Sequence, residues 1–439
     1  MSFPRYPAYK DSCVEWLGEM PAHWQTIRLR YISQCLDGQR IPLNFAERAD
    51  KQGDIPYWGA NSIVGYVDEA LFDEDLVLLG EDGAPFFDRT KPVAFFSKGK
   101  IWPNNHVHVL RPKVAGSGPY MVYALNITDF VQFIEGSTRD KLTQSAMNDI
   151  PLPWPPISEQ TTIAAFLGRE TAKIDALVTE QQRLIELLKE KRQAVISHVV
   201  TKGLNPDAPM KPSGVEWLGE VPAHWEVYRL KHLARSIEQG WSPQCEGTPA
   251  DLDNEWGVLK VGCVNGGTFN PFDNKLLPSE MEPIPTLSIR SGDLLISRAN
   301  TRELVGSAAV AEQDYPKLML CDKLYRIRFA ENLCWPQFVC RYLATGIVRE
   351  QIELSATGAS SSMLNIGQSA IMDLLIAVPP FSEQGEILSY LERELNRLDT
   401  LTVEAQRAIA LLLERRTALC SAAVTGQIDV RAIANRSAA

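Results

Sequence analysis

Two nearly identical stretches decide the fold of this chain: residues 14–24 read VEWLGEMPAHW, and residues 215–225 read VEWLGEVPAHW. A second pair, PPISEQ at 155–160 and PPFSEQ at 379–384, repeats at an offset of 224 and precedes a long helical pattern each time. A period of about 200 residues indicates a domain duplication, because solenoid repeats are far shorter. The chain is therefore predicted to contain two copies of one module.

The composition of the 439 residues is that of an ordinary globular protein, with 45% apolar and 22% charged residues. This length predicts two or three domains. No apolar run approaches the ~18 residues of a membrane helix, and the first residues lack the layout of a signal peptide. The eight cysteines form no C-x-x-C pair, so we expect a reduced, cytoplasmic protein without a zinc framework. The net charge of −10 argues mildly against nucleic-acid binding.

Long helices are predicted at 158–204 and 382–439, the second including a C-terminal tail. Ser158 and Ser382 can cap their first turns, and Gly203 and Gly426 can form left-handed caps at their ends. Apolar residues recur at alternating spacings of four and three, which predicts a heptad seam.

Charged residues interrupt this seam at equivalent places, Glu170 and Lys191 in the first helix and Glu394 and Arg415 in the second. A parallel arrangement would oppose like charges. An antiparallel arrangement pairs Glu170 with Arg415 and Lys191 with Glu394, so charge favours antiparallel pairing. The alternative is that these long side chains reach solvent independently.

The segments between the repeats, 25–154 and 226–378, show short β-type runs broken by Gly, Pro, Asn and Asp. Residues 75–79 (DLVLL) align with 293–297 (DLLIS), and 105–108 align with 322–325. We therefore predict an α+β fold with internal pseudo-twofold symmetry. Its domains are 1–157, a first spacer helix at 158–204, 205–381, and a second spacer helix at 382–439.

Catalytic motifs are missing from the sequence. Trp154 and Val378 stand where an amino-methyltransferase would carry Asp or Asn before Pro-Pro, and Gly99-Lys100 is followed by Ile101, so there is no P-loop. Residues 104–108 (NNHVH) hint at a metal site, but a strand with two histidines on one face is the preferred interpretation, since no companion carboxylates are evident. We predict no catalytic residue and no metal ligand.

The duplicated VEWLGE-x-PAHW and PP-x-SEQ motifs, with two unlike segments between them, resemble the DNA specificity subunits of type I restriction-modification systems. The resemblance implies that each variable segment is a target recognition domain for one half of a bipartite, asymmetric double-stranded DNA sequence. It also implies that the long helices space these domains and that two methylation subunits and two restriction subunits bind. S-adenosylmethionine, ATP and Mg²⁺ would then belong to those partners, and this chain would neither bind a cofactor nor catalyse a reaction.

Polar loops after strand-like runs supply the candidate DNA contacts. Arg and Lys can bind phosphate or guanine, and Asn can pair with adenine. The candidates are Arg89, Lys91, Lys98, Lys100, Asn104, Asn105, Arg139 and Lys141 in the first segment, and Arg290, Arg298, Asn300, Arg302, Lys323 and Ser361 in the second.

Two alternatives remain open: a specificity subunit of a combined methylase–nuclease that cuts on both sides of its site, and a stand-alone DNA-binding protein or scaffold. The variable segments carry net charges of −3 and −4. Either their basic residues concentrate on one face, or partner subunits supply much of the phosphate contact; the second fits a targeting subunit.

Overall fold

A computed structural model describes residues 3–135, 139–330, 332–360 and 363–431. The chain divides into two compact units. Unit 1 comprises residues 1–183 and 404–439, and unit 2 comprises residues 184–403. The division passes through both long helices rather than at their ends, so each unit contains part of each helix. No helix among the described residues is long and apolar enough to cross a membrane.

Unit 1 is built of short strands and helices. Its strands are β1 (Tyr9–Asp11), β2 (Glu19–Pro21), β3 (Gln25–Arg28), β4 (Ser33–Cys35), β5 (Ile55–Trp58), β6 (Ile63–Val67), β7 (Phe72–Asp73), β8 (Leu76–Gly80), β9 (Ala94–Ser97), β10 (Lys100–Pro103), β11 (Val107–Pro112), β12 (Ile134–Glu135), β13 (Lys141–Leu142) and β14 (Pro151–Trp154). Its helices are α1 (Leu29–Ile32), α2 (Phe45–Asp50), α3 (Gly118–Ile127), α4 (Gln144–Asp149) and the beginning of α5 (Ile157–Lys202).

The core of unit 1 surrounds a four-stranded sheet in the order β4-β11-β8-β9. Strand β8 is apolar on both sides because both faces of this sheet are covered. Val77 and Leu79 pack into the core that contains Trp24, whereas Leu76 and Leu78 pack into a second cluster with Ile101. A second sheet has the order β6-β5-β10-β7, in which β5 and β10 are parallel.

Unit 2 repeats these elements. Its strands are β15 (Met210–Pro212), β16 (Glu220–Pro222), β17 (Glu226–Arg229), β18 (Ala234–Gln239), β19 (Gly257–Leu259), β20 (Asn274–Leu276), β21 (Ser288–Ile289), β22 (Leu294–Ser297), β23 (Ala299–Asn300), β24 (Ala308–Val310), β25 (Tyr315–Met319), β26 (Leu324–Phe329), β27 (Thr357–Ser360), β28 (Met363–Asn365) and β29 (Leu375–Val378). Its helices are the end of α5, α6 (Leu230–Leu233), α7 (Pro336–Leu343), α8 (Gly346–Ser355), α9 (Gln368–Met372) and the first half of α10 (Phe381–Val424), whose second half belongs to unit 1.

The two units share their strand order. The sheet β18-β26-β22-β24 corresponds to β4-β11-β8-β9, and β20-β19-β25-β21 corresponds to β6-β5-β10-β7, again with one parallel pair, β19 and β25. The register places Gly80 opposite Val107 and Ser297 opposite Leu324. The equivalent of Asp293 is therefore Leu76, one residue further than in the sequence alignment of 75–79 with 293–297.

The repeated motifs meet at the beginning of each long helix. In unit 1, Glu159 of PPISEQ accepts hydrogen bonds from His23 Nε2 at 2.7 Å and from Trp24 Nε1 at 3.0 Å. In unit 2, Glu383 lies 2.7 Å from His224 Nε2 and accepts from Trp225 Nε1 at 3.1 Å. Both tryptophans are fully buried. The duplicated motifs are therefore two copies of one packing contact, in which both histidines have a carboxylate partner.

In each unit, the residues that follow a long helix pack against the repeated PAHW motif. Gly203 and Gly426 follow α5 and α10 with φ angles of +77° and +74°, which is the left-handed conformation predicted for them. A Cβ atom at Gly426 would lie 2.3 Å from Pro21, and one at Gly203 would lie 3.3 Å from Trp225. Segment 425–431 also contacts the first residues of unit 1, where the Asp429 N–H donates to the Pro4 carbonyl at 2.8 Å.

The contacts between the long helices differ from the predicted charge pairs. In unit 1 the interhelical ion pair joins Asp175 and Arg416 at 2.9 Å, and Glu170 instead lies 2.8 Å from Lys173 of its own helix. In unit 2 the pair joins Arg192 and Asp399 at 2.6 Å. The predicted pairs Glu170–Arg415 and Lys191–Glu394 are not among the ion pairs of the described residues. A heptad seam tolerates a shift along the helix axis, and the observed register differs from the predicted one by six residues.

Candidate nucleic-acid interface

In unit 2, four of the predicted residues gather where β22 ends and β26 begins. The Arg298 N–H donates to the Lys323 carbonyl at 2.8 Å, and the Arg298 guanidinium donates to the Asp322 carbonyl at 3.2 Å. Asn300 lies on β23, which pairs with β28, and Arg302 follows in an exposed turn. This strand end presents three cationic side chains and one amide, the groups that contact phosphates and base edges.

Arg290, another predicted residue of unit 2, lies elsewhere. Arg290 precedes β22, so it stands at the opposite end of that strand from Arg298. There its N–H donates to the Asp293 carboxylate at 2.9 Å. The sequence did not separate these two arginines, because both follow strand-like runs. Ser361 lies outside the described residues.

In unit 1, the equivalent strand end lies between Gly80 and Val107, and it carries acidic residues as well. Arg139 is 3.2 Å from Asp82, and Lys141 is 3.5 Å from Glu81. Asn105 is exposed beside them. Asn104 is buried, and its side chain accepts from the His106 N–H at 2.7 Å, so this asparagine stabilises the turn.

The remaining candidates of unit 1 occupy other loops. Lys98 and Lys100 flank the turn between β9 and β10, and the pairing of Ser97 with Leu76 places this turn at the far end of β8. Arg89 lies 3.7 Å from Asp129, and Lys91 lies 3.1 Å from Asp88. The structure therefore brings together Asn105, Arg139 and Lys141, but not all eight predicted residues.

A buried charge cluster behind this strand end was missed from the sequence. His108 is only 1% exposed; its Nδ1 lies 2.5 Å from Asp37 and its Nε2 lies 2.8 Å from the Leu142 carbonyl. Arg40 donates to Glu81 at 2.6 Å. Burial alone would raise the pKa of Asp37, but hydrogen bonds and charge from His108, with the Val109 N–H and Arg40, hold that pKa below its ordinary value.

The expectation that the histidines at 106 and 108 lack companion carboxylates is wrong. Companion carboxylates for the histidines at 106 and 108 do exist: Asp82 lies 2.6 Å from His106, and Asp37 and Glu81 surround His108. These carboxylates come from segments that are distant in the sequence, so no local motif links them to the histidines. The signal available was the acidic pair Glu81-Asp82 directly after a buried strand. Although Asp37, Glu81 and His108 lie close enough to share a metal ion, Arg40 and the Leu142 carbonyl already bind these groups.

On the other face of its equivalent sheet, unit 2 has an ion triad, two of whose members are buried. Arg326, 1% exposed, donates to Glu238 at 2.9 Å and lies 3.7 Å from Asp293, itself 1% exposed. Strand register makes Glu238, Asp293 and Arg326 the equivalents of unit 1 residues that form an apolar cluster, namely Leu36, Leu76 and Val109.

Known proteins of one class are similar to this chain in sequence. Residues 21–187 match the family described as type I restriction modification DNA specificity domain. The EcoEI specificity subunit of Escherichia coli is 30% identical over 240 residues, which cover 54% of this chain and 40% of that protein. The MjaVIII specificity subunit of Methanocaldococcus jannaschii is 22% identical over 435 residues, 94% of each chain.

Solved structures share the fold. A chain from a study of complex assembly and conformational transition of the type I R-M system superposes with a TM-score of 0.66 at 17% identity, covering 92% of this chain and 98% of that one. The HsdS subunit of Thermoanaerobacter tengcongensis superposes with a TM-score of 0.51 at 17% identity, covering 93% and 98%. The fold is thus that of a duplicated specificity subunit. This chain is thus similar to type I restriction-modification specificity subunits, in sequence over residues 21–187 and in fold over 92% of its length.

Proposed function

We propose that this chain is the DNA-recognition subunit of a type I restriction-modification complex. Each unit would read one half of a bipartite, asymmetric target. The observation that carries the proposal is that two units of one fold present different side chains at the same strand end. Arg298, Asn300 and Lys323 in unit 2 stand where unit 1 has Glu81 and His106, with Arg139 and Lys141 beside them. Two units that share a fold but carry different side chains at the DNA-contacting strand end can recognise a target whose two halves differ.

The long helices would pair as an antiparallel coiled coil related by a pseudo-twofold axis. The ion pairs support this arrangement, because Asp175 and Arg192 are the equivalents of Asp399 and Arg416 at the repeat offset of 224. Each pair thus joins the same two positions of the repeat. Within unit 1, Glu159 near the start of α5 also lies 3.5 Å from Arg431 in the segment that follows α10, and Asp175 further along α5 contacts Arg416 within α10, as antiparallel helices require.

Methylation subunits would bind the helices, and two equivalent surfaces support two copies. Leu177 and Leu411 are 51% and 57% exposed in unit 1. Their repeat equivalents in unit 2, Leu401 and Leu187, are 44% and 52% exposed. These matching pairs of exposed leucines are the surfaces at which we propose that the methylation subunits bind. Two restriction subunits would join the same complex.

Chemistry would reside on those partners, which would bind S-adenosylmethionine, ATP and Mg²⁺. The acidic net charge of −10 agrees with partners that supply phosphate contacts. The ion pairs of Arg139 and Lys141 with Asp82 and Glu81 further reduce the positive charge that unit 1 offers to DNA.

The test is the sequence specificity of methylation by the assembled complex. Arg298→Ala should lower discrimination in one half-site by ~1–3 kcal/mol per base pair and leave the other unchanged. Arg290→Ala is the matched control, because this exposed arginine stands at the other end of β22. Uniform weakening on all sequences would reduce Arg298 to a phosphate contact, and a complex that methylates without sequence preference would refute the function.

A further inference from the structure

One buried side chain on the central strand of each unit reaches the segment behind the strand end. His108 stands opposite Leu79, and Tyr325 stands opposite Ile296, at equivalent positions of β11 and β26. His108 Nε2 lies 2.8 Å from the Leu142 carbonyl. The Tyr325 hydroxyl donates to the Ile366 carbonyl at 3.1 Å.

The two carbonyls belong to equivalent residues. Leu142 and Ile366 are separated by the repeat offset of 224, and each stands two residues before a short helix, α4 or α9. Unlike side chains therefore make the same contact in both units. The contact is common to both units, but it cannot be recognised in the sequence because the residue is histidine in one unit and tyrosine in the other.

The contacted residues also anchor the candidate reading segments. The Leu142 N–H donates to the Glu81 carbonyl at 2.7 Å, and the Ile366 N–H donates to the Arg298 carbonyl at 2.9 Å. Leu142 and Ile366 are thus each held at two points. The N–H binds the strand end, and the carbonyl contacts the buried side chain of His108 or Tyr325. In unit 1 the held segment carries Lys141; in unit 2 it holds the backbone of Arg298 itself.

Both nitrogens of the His108 ring face oxygen atoms, one of the Asp37 carboxylate and one of the Leu142 carbonyl. Asp37 in turn accepts from the Val109 N–H at 2.8 Å. The other charged groups around the ring are Arg40, Glu81 and Lys141.

We propose that His108 and Tyr325 are positioning residues that set the sequence specificity of their own half-sites without contacting DNA. They are 1% and 3% exposed, so they act only through the Leu142 and Ile366 carbonyls. The inference rests on the proposed recognition function. Direct readout depends on hydrogen-bond geometry at base edges, and a segment released from its anchor presents its side chains less accurately.

Three variants of the full chain, each assembled with its methylation subunits, test the proposal. Tyr325→Phe removes only the hydroxyl. His108→Asn retains an amide near the Nδ1 position and loses the donor to Leu142, whereas His108→Gln retains a donor near the Nε2 position. The readout is the ratio of methylation kcat/KM on the correct duplex to that on duplexes with one changed base in either half-site.

We expect Tyr325→Phe to lower this ratio about fivefold to tenfold at one half-site and to leave the other unchanged, as for the loss of one hydrogen bond. His108→Asn should do the same at the opposite half-site, and His108→Gln should retain most of the discrimination there. Tyr342→Phe is the matched control. It removes a buried hydroxyl of unit 2 that accepts from the Ala377 N–H at 3.3 Å, away from the strand end, and should leave both ratios unchanged.

Equal loss at both half-sites, or weaker methylation with intact ratios, would overturn the proposal, because a general structural role predicts either. A Tyr342→Phe variant that matches Tyr325→Phe would overturn it as well. Failure of the recognition function itself is distinguishable, since the wild-type complex would then show no discrimination at either half-site.

Discussion

Asp175 of α5 accepts a hydrogen bond from the guanidinium of Arg416 of α10, with Oδ1 2.9 Å from Nε. The repeat reproduces the contact in unit 2, where Asp399 accepts from Arg192 at 2.6 Å. A charge interaction that appears twice between equivalent residues indicates a register common to both units. The same relationship allows the strength of this interaction to be measured twice in one molecule.

The first prediction concerns this register. A double-mutant cycle on Asp175→Asn and Arg416→Gln should give a coupling free energy of ~0.2–1 kcal/mol, since both side chains are partly exposed. Chemical denaturation measures it. The same cycle on Glu170 and Arg415 should give no coupling because Glu170 pairs with Lys173; the reverse result would restore the register predicted from the seam.

A second prediction concerns the ion triad of unit 2, formed by Glu238, Asp293 and Arg326. Arg326→Val alone removes the arginine partner of Glu238 and leaves Asp293 with Arg328 at 2.6 Å. It should cost ~1–3 kcal/mol of unfolding free energy. Introducing all three residues of unit 1, as Glu238→Leu, Asp293→Leu and Arg326→Val, should be neutral or stabilising by ~1–4 kcal/mol. Hydrogen exchange of β22 and β26 reports the change.

The control for the triad is unit 1, whose strands β8 and β11 should exchange as in the wild type. Arg328, 2.6 Å from Asp293 and 29% exposed, would be left to solvent in the triple variant. If the triple variant is as unstable as Arg326→Val, the ions contribute more to this core than apolar packing does.

The third prediction compares the two helix entrances. Glu159 accepts from Trp24 and faces His23, and it also accepts from Tyr6 at 3.2 Å and lies 3.5 Å from Arg431. Glu383 has only the tryptophan and histidine partners among the described residues. Glu159→Gln should therefore cost ~2 kcal/mol and Glu383→Gln ~1 kcal/mol. Hydrogen exchange of β2 and β16 measures them separately; equal costs would show that the additional partners contribute nothing.

The fourth prediction concerns the glycines after the long helices. Alanine at either position adopts a left-handed conformation at a cost of ~1 kcal/mol. Gly426→Ala should cost more than Gly203→Ala, because its Cβ would lie 2.3 Å from Pro21, whereas the nearest atom at Gly203 is 3.3 Å away. Thermal unfolding of the two variants tests the order. Gly214→Ala, with the same sign of φ and open space around it, is the control for strain alone.

The sequence predicted the duplication and the long helices well, because exact repeats and heptad spacing are local signals. It also predicted Arg298, Asn300 and Lys323 as candidate DNA contacts, because the ends of strands can be recognised in the sequence. It did not predict which charges meet. His108 finds Asp37 71 residues away, and Asp293 takes the place of Leu76 rather than that of Asp75. Both depend on strand register, where a shift of one residue exchanges the two faces of a sheet.

Unit 1 takes Cys420, Ala423 and Val424 into the same core as Trp24. Domains generally mature on the ribosome from the amino terminus onward. Here the order is reversed: every residue of unit 2 has been synthesised before the first-made domain receives its final helix segment. The part of unit 1 that precedes unit 2 therefore stays incompletely packed until residues 420–424 have been synthesised.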